Sequence, residues 1–304
     1  MSKTANTNLN IAKINKNDEF YTRLEDIEKE LKYYKKYFKG KIVFCNCDDP
    51  KKSNFFKYFT LNFKPLGLKK LITTHYNRGK KSYKLEVTKD KTIKTTLQGD
   101  GDFRSNECVE ILKEADVVVT NPPFSLFREY IAQLFKYKKS FIIIGNENAI
   151  SCKDIFPLIK ENKMWLGNTR PKEFIQPDGT LKKFGNICWY TNIGLGRVYK
   201  ELHLHKTYKG NEKDYPFYDN YNAIEVKRVK DIPIDYEGVM GVPITFMAKY
   251  NPKQFKIIGH DHEVKCGFLP EIKNNSWKGS FHRGYVNGKM LYARIFIKLL
   301  NPKK

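Results

Sequence analysis

Asp116-Val-Val-Val-Thr-Asn-Pro-Pro-Phe124 is the stretch on which the fold turns. Three consecutive β-branched valines after an acidic residue read as a short buried strand. Thr120 and Asn121 end it. Pro122 and Pro123 then forbid both further ladder pairing and an immediate helix. The product is a stiff loop at the carboxyl end of a strand, with one amide side chain and one aromatic ring, Phe124, at fixed spacing. The carboxyl edge is where open α/β sheets bind ligands.

Upstream of it, Lys41-Ile-Val-Phe-Cys-Asn-Cys47 reads as the first good strand. It runs into Asp48-Asp49-Pro50, after which Ser53-Asn54 caps a helix through Phe55, Phe56, Tyr58 and Phe59. A second strand is expected over Leu68–Tyr76 and an inserted hairpin over 80–98. Gly99-Asp-Gly-Asp-Phe-Arg104 follows, then a helix over 105–114. Downstream, Phe127, Tyr130, Ile131 and Leu134 mark another amphipathic helix, and Ser140–Gly145 another buried strand. Strand alternating with helix predicts an α/β fold with a doubly wound, mostly parallel sheet.

At the N-terminus, residues 1–17 read as a flexible polar tail. Asn17-Asp18 offers a helix cap, and Leu24, Ile27, Leu31, Tyr34 and Phe38 share one face of a helix stopped by Gly40. Lys32, Lys35, Lys36 and Lys39 make its other face basic. Beyond residue 150 the rhythm loosens: a helix over 152–162, strands at Met164–Leu166 and Ile187–Ile193, and a turn at Gln176–Thr180. A hairpin ending the parallel sheet fits there. From 198 onward the chain is rich in Tyr, Lys, Asn and Pro, with short strands such as Ile244–Met247 and Tyr292–Ile297. The expected organisation is a tail over 1–17, a cofactor-binding and catalytic core over 18–197, and a smaller irregular α+β region over 198–304.

Composition narrows the function. The chain has 304 residues, 56 basic against 33 acidic, a net charge of +23. That much self-repulsion points to a polyanion, and nucleic acid is the commonest. No apolar run approaches the roughly 20 residues of a membrane helix. Met1–Asn17 lacks the apolar core of a signal peptide, so a cytoplasmic protein with no membrane partner is expected. The six cysteines form no C-x-x-C pair, and His203/His205 and His260/His262 supply two ligands each at most, so no metal site is expected.

The central loop suits methyl transfer to a planar nitrogen. An exocyclic amine on a nucleobase is a poor nucleophile, because its lone pair is delocalised into the ring. To attack a methyl group the nitrogen must move from planar toward tetrahedral. Two acceptors aimed at its N–H bonds, the Asn121 side-chain oxygen and the Pro122 carbonyl, favour that change. Phe124 supplies a face on which the base stacks. The base must first leave its duplex. The methyl donor, a sulfonium nucleoside, fits across adjacent strand ends. There the first strand offers Asp48, Asp49 and Pro50, and the third Asp100, Asp102 and Phe103.

These motifs together resemble the N6-adenine DNA methyltransferases, most closely the EcoRI-type modification methylases. Asn121-Pro-Pro-Phe124 matches their catalytic motif. Asp18-Glu-Phe-Tyr-Thr22 is similar to their N-terminal motif, which wraps the methionine part of S-adenosylmethionine. Cys45-Asn-Cys-Asp-Asp-Pro50 with Ser53–Phe59 resembles their first cofactor motif, and Gly99–Arg104 their adenine-side motif. Asp219-Asn-Tyr221, Asp231-Ile-Pro-Ile234 and Gly238–Phe246 also look like that subfamily. The resemblance covers about residues 17 to 258. The Gly-x-Gly common in methyltransferases is replaced by Asp48-Asp-Pro-Lys-Lys-Ser-Asn54.

The resemblance implies a class I, Rossmann-like methyltransferase core using S-adenosylmethionine, with Phe20, Tyr21, Thr22, Cys47, Asp48, Pro50, Asp100, Asp102, Phe103 and Asn121 toward the cofactor. Asn121, Pro122, Pro123 and Phe124 would be catalytic. The expected reaction is methyl transfer to N6 of a flipped-out adenine in double-stranded DNA, by a monomer. It implies the modification enzyme of a restriction-modification system, with a cognate endonuclease acting on the same site without contact, or an orphan or phage methylase. Two rivals stay open. The same loop serves methyl transfer to RNA bases or protein glutamine, and a silent core would leave a DNA-binding module.

Overall fold

The computed structural model describes residues 20–176, 178–194 and 201–303. The expected tail, the cap at Asn17-Asp18, Asp18 and Glu19 of the N-terminal motif, Pro177 of the expected turn and the boundary at 197/198 lie outside them. The chain divides into two units, Met1–Glu147 with Met164–Leu195, and Asn148–Lys163 with Gly196–Lys304.

The first unit is built on an eight-stranded sheet. After a short strand β1 (Tyr21–Thr22) and helix α1 (Leu24–Leu31), β2 (Ile42–Cys45) leads to helix α2 (Asn54–Leu61) and β3 (Lys70–Thr74). The hairpin β4 (Tyr83–Val87) and β5 (Thr92–Thr96) follows, then helix α3 (Asn106–Glu114), β6 (Val117–Thr120), helix α4 (Phe127–Lys136) and β7 (Ser140–Asn146). Three short strands, β8 (Trp165–Leu166), β9 (Glu173–Ile175) and β10 (Leu181–Lys183), precede β11 (Ile187–Thr191). The large sheet runs β5-β4-β3-β2-β6-β7-β11-β8. Its centre, β3-β2-β6-β7, is parallel. Both margins are antiparallel. The expected mostly parallel sheet is therefore mixed. The inserted hairpin extends it at one edge, as expected; at the other, β11 and β8 pair antiparallel but are separated in sequence by β9 and β10 of another sheet, so the expected hairpin is not formed there.

Packing follows the pleat. Val43, Cys45, Val117, Val119, Ile142 and Ile144 lie in one buried cluster with Ile27 and Leu31 of α1 and Phe55 and Phe59 of α2. Phe44 and Val118 point the other way. On that side α4 packs through Phe127, whose ring lies 5.0 Å from Tyr190, and through Phe135, 5.8 Å from Phe141. Ser53 caps α2 as expected, accepting from the N–H groups of Phe55 and Phe56. The helix expected to run to Gly40 is shorter. It ends at Leu31, and the chain tightens into a 3₁₀ turn at Lys35–Tyr37, where the Tyr37 and Phe38 N–H groups bond three residues back to Tyr34 and Lys35. Tyr34 and Phe38 stay buried all the same, and the four lysines stay exposed.

In the second unit, helix α5 (Phe156–Lys160) is a short form of the helix expected over 152–162. A four-stranded sheet has the order β12 (Ile224–Glu225), β13 (Met240–Pro243), β17 (Arg294–Leu299), β14 (Phe255–His260). Helix α6 (Asp261–Lys265) and the hairpin β15 (Tyr285–Val286) and β16 (Lys289–Met290) lie between β14 and β17 in sequence. The strand expected at Ile244–Met247 is instead a 3₁₀ helix, Ile244–Lys249. Pro243 ends the ladder just before it, having no N–H to donate, and the turn buries Phe246 and Met247.

One ion pair anchors this sheet. Arg294 reaches Glu225 through Nη2 at 2.7 Å and Nε at 3.0 Å, and the Tyr218 hydroxyl donates to the same carboxylate. Both charged side chains are nearly closed to solvent. Glu225→Ala leaves the Arg294 guanidinium buried without its counter-charge, and urea unfolding should register a loss of about 3–5 kcal/mol.

Candidate active site

The order of the parallel strands brings the two decisive loops together. β3 is added on one side of β2 and β6 on the other. Val43 pairs with Val117 and Phe44 with Val118. The carboxyl ends of β2 and β6 are therefore neighbours. One carries Cys47 and Asp48, the other Thr120 and Asn121.

Asp48 locks them. It is 6% exposed. The Ser53 hydroxyl donates to its Oδ1 at 2.7 Å. The Thr120 hydroxyl donates to its Oδ2, and the backbone N–H of Asn121 also bonds the carboxylate. Thr120 Oγ1 in turn accepts from the Cys47 N–H at 3.3 Å. One carboxylate thus ties the end of β2, the first turn of α2 and the loop that carries Asn121. Burial pushes its pKa up to about 6, even with the hydroxyls and the amide holding the charged form. Burial, with the Asp48 charge beside it, also pushes the Cys47 thiol well up.

Asn121 is held from its other side. Its Nδ2 donates to the Phe20 carbonyl at 2.6 Å. Its Oδ1 is buried and has no hydrogen-bond partner. Pro122 is buried, while Pro123 and Phe124 are half-buried, with Phe124 packed on the core that α1 and α2 cover. The segment carrying Phe20 is itself fixed. Tyr21 pairs with Ile175 and Thr22 with Phe174 in β9, and Asn54 Nδ2 donates to the Thr22 carbonyl at 2.8 Å. Thr22 Oγ1 is a second buried atom without a partner.

The expected residues divide into two groups. Phe20, Tyr21, Thr22, Cys47, Asp48 and Asn121 converge through these bonds, and Pro50 is half-buried in the turn after Asp48. The second group is the loop before α3. The Asp102 carboxylate is engaged by Arg104, at 2.7 Å to Nη2, which holds it below its ordinary value. Phe103 is buried, its ring 5.0 Å from Tyr130 of α4. Asp100 is half-buried and its Oδ1 accepts from the Asp102 N–H at 3.2 Å. Gly101 makes the loop possible: its φ is +82°, and a Cβ would fall 2.1 Å from the His75 carbonyl oxygen.

Several residues of the site carried no signal of their own. Phe184 packs edge-on to Phe20 at 4.8 Å, and Lys182 lies 5.1 Å from the Phe20 ring centroid. Sequence showed only a turn there. Asn54 read as a cap and Thr120 as a strand end; neither pattern reveals a partner far away in sequence. Among the described residues, no group of three or more His, Cys, Asp or Glu side chains could hold a metal ion.

The whole chain has known relatives. Residues 8–299 match the family model described as adenine-specific methyltransferase EcoRI. The match runs well past residue 258, where the sequence resemblance was expected to fade. The type II methyltransferase M.EcoRI of Escherichia coli is 46% identical, with 95% of each chain covered. The type II methyltransferase M.MpnI of Mycoplasma pneumoniae is 40% identical, over 95% of this chain and 97% of its own. M.MgeORF184P of Mycoplasma genitalium is also 40% identical, over 95% and 98%. No solved structure matches the chain.

The raised pKa of Asp48 has a direction that can be measured. A carboxyl raised from 3.8 to about 6 contributes stability that is full below about pH 4 and lost as pH rises through about 6. Asp48→Asn should remove that slope, on the order of 3 kcal/mol, from the pH profile of urea unfolding between pH 4 and 7. A profile identical to the wild type would assign the slope to another group.

Proposed function

The chain belongs to the EcoRI family of adenine-specific methyltransferases, and on that premise we propose how its residues serve the reaction. It is an adenine-specific DNA methyltransferase of restriction-modification. The family match speaks against the RNA, glutamine and silent-module readings.

One observation carries the mechanistic reading. Asn121 has a buried side-chain oxygen without a partner, while its amide nitrogen is already committed to the Phe20 carbonyl. A buried acceptor left open costs about 1–3 kcal/mol, so it is kept for a donor that arrives with the substrate. The adenine N6 amine is such a donor. Phe20 fixes which atom of the amide faces it. Asn121 Oδ1 and the Pro122 carbonyl draw on the two N–H bonds, favouring the tetrahedral nitrogen as its lone pair forms the new N–C bond. The proton leaves to water after transfer, so no buried base is required. Pro123 holds the turn, and Phe124 offers its ring to the flipped adenine.

S-adenosylmethionine is the donor we assign, supported by the family and by the residues present. When bound, it would supply the electrophilic methyl group, its S–CH3 bond breaking as the N–C bond forms and the sulfur leaving as a neutral thioether. Thr22 Oγ1, buried and unpartnered, suits the polar amino-acid end, with Phe20 and Tyr21 in the same segment. The ends of β2 and of the loop before α3 offer Cys47, Asp48, Pro50, Asp100, Asp102 and Phe103 to the nucleoside. Of these, Asp48 turns both oxygens inward and acts mainly on the loop. The reversal of strand order at β2 supports a doubly wound, class I arrangement, since ligands bind at such switch points. We further assign target recognition to the region over 198–304. A monomeric, cytoplasmic enzyme with a cognate endonuclease that shares its site without contact completes the proposal, on the resemblance alone.

Tritium transfer from labelled S-adenosylmethionine to DNA tests this. Asn121→Ala should lose about 100-fold or more in rate. Asn121→Asp should fail comparably, although it keeps an acceptor, because a second oxygen would face the Phe20 carbonyl. Near-normal transfer by Asn121→Asp would refute the orienting role of Phe20. Binding to duplex DNA should also fall steeply with salt, as lysine contacts release counterions. A flat dependence would mean that the +23 charge serves another purpose.

A further inference from the structure

From Ile272 to Lys304 the chain carries six lysines and two arginines and not one acidic residue. Both arginines have partners inside the unit. Arg294 is bound to Glu225, and Arg283 Nη1 lies 3.6 Å from Asp261. Lys278 and Lys289 are exposed. Among them stand apolar side chains that the fold does not use: Met290 is 60% exposed and Tyr292 is 89% exposed. Leu291, between those two, packs on the small core formed by Tyr218, Tyr221, Phe296 and their neighbours. Period-2 alternation therefore sends one residue inward and two outward.

The element that carries them is held rigidly. Asn287 and Gly288 both have positive φ, at 50° and 71°, as a two-residue type I′ hairpin requires. Asp219 caps that tip. Its Oδ1 accepts from the Asn287 N–H at 3.2 Å and its Oδ2 from the Gly288 N–H at 2.8 Å. Asn220 continues the support, donating to the Arg283 carbonyl at 2.8 Å and accepting from the Tyr285 N–H at 2.9 Å. The Tyr221 hydroxyl donates to the Phe281 carbonyl at 3.0 Å. Gly284 lies so close to Tyr218 that a Cβ would meet its ring at 2.5 Å. The Asp219-Asn220-Tyr221 motif is thus the base on which the whole 281–288 segment is mounted.

We propose that the hairpin Tyr285–Met290, with Tyr292, is the element that enters a groove of duplex DNA and discriminates the target site. The inference rests on the methyltransferase reading above. A two-stranded ribbon fits the major groove, and exposed aromatic and thioether groups can meet base edges and thymine methyls there. Lys278 and Lys289 supply phosphate contacts, which position without reading sequence. The capped tip binds without an ordering cost, and that makes it suited to discrimination. Asp219, the acidic group beside the tip, has its carboxylate occupied by backbone N–H groups, so its charge is in part neutralised there.

The test uses the full-length enzyme and a duplex containing a site that the wild type methylates, mapped at single-base resolution, against duplexes with one base pair changed. Tyr292→Ala and Met290→Ala should lose about 10-fold or more of the discrimination between them. Lys289→Ala should weaken all the duplexes alike and lower the salt slope by about 1. Asp219→Ala, which frees the tip, should reduce discrimination while S-adenosylmethionine binding is unchanged. Wild-type discrimination in Tyr292→Ala, Met290→Ala and Asp219→Ala would overturn the assignment, while DNA methylation by the wild type would leave the catalytic reading standing. Failure of the wild type itself to methylate any duplex would take down both.

Discussion

A buried carboxylate joining two strand ends is the constraint on which this site depends. Asp48 accepts from Ser53, Thr120 and the backbone of Asn121. Taking a carboxylate out of water is costly, and its pKa of about 6 records that cost. The bonds it receives offset the penalty and convert it into geometry. Without them the loop after β6 would lose its tie to the first turn of α2 and keep the Cys47 and Phe20 contacts. With them, the position of Asn121 is set by β2 and by the first turn of α2 as well.

The stiffness of Pro122 and Pro123 would have little value if the amide before them could rotate. The Phe20 carbonyl removes that freedom by taking the Asn121 N–H. An amide, and not a carboxylate, suits the position: the Phe20 contact demands a donor on one side, and the proposed grip on the substrate amine an acceptor on the other. The segment around Phe20 is in turn held by β9 and by Asn54. Four stretches distant in sequence therefore share the work of orienting one side chain.

The second unit is organised differently. Apart from β12-β13-β17-β14, little in it is periodic, and side-chain bonds to backbone replace ladder bonds. Asp219, Asn220 and Tyr221 show the principle, each satisfying backbone groups that an irregular chain would leave unpaired. Such bonds leave no trace in hydrophobic patterning. An apolar run such as Ile244–Met247 likewise looks alike as strand or as 3₁₀ turn, and Pro243 decides it there, whereas the run near Tyr292–Ile297 does form a strand.

What the sequence by itself determined is local or patterned. The strand before Asn-Pro-Pro-Phe, the capped helix after Asp48, the inserted hairpin and the alternation that makes the chain α/β were all legible, because β-branching, capping and proline act within a few residues. Its motifs also led to the methyltransferase family. Only the tertiary structure decided that the sheet is mixed, that α1 stops at Leu31, and that Asp102 and Phe103 are engaged by Arg104 and Tyr130. It alone paired Phe20 with Asn121 and Asp48 with Thr120. Those contacts span 101 and 72 residues. A hydrogen bond between distant residues depends on where strands are placed in the sheet, and no local propensity encodes that placement.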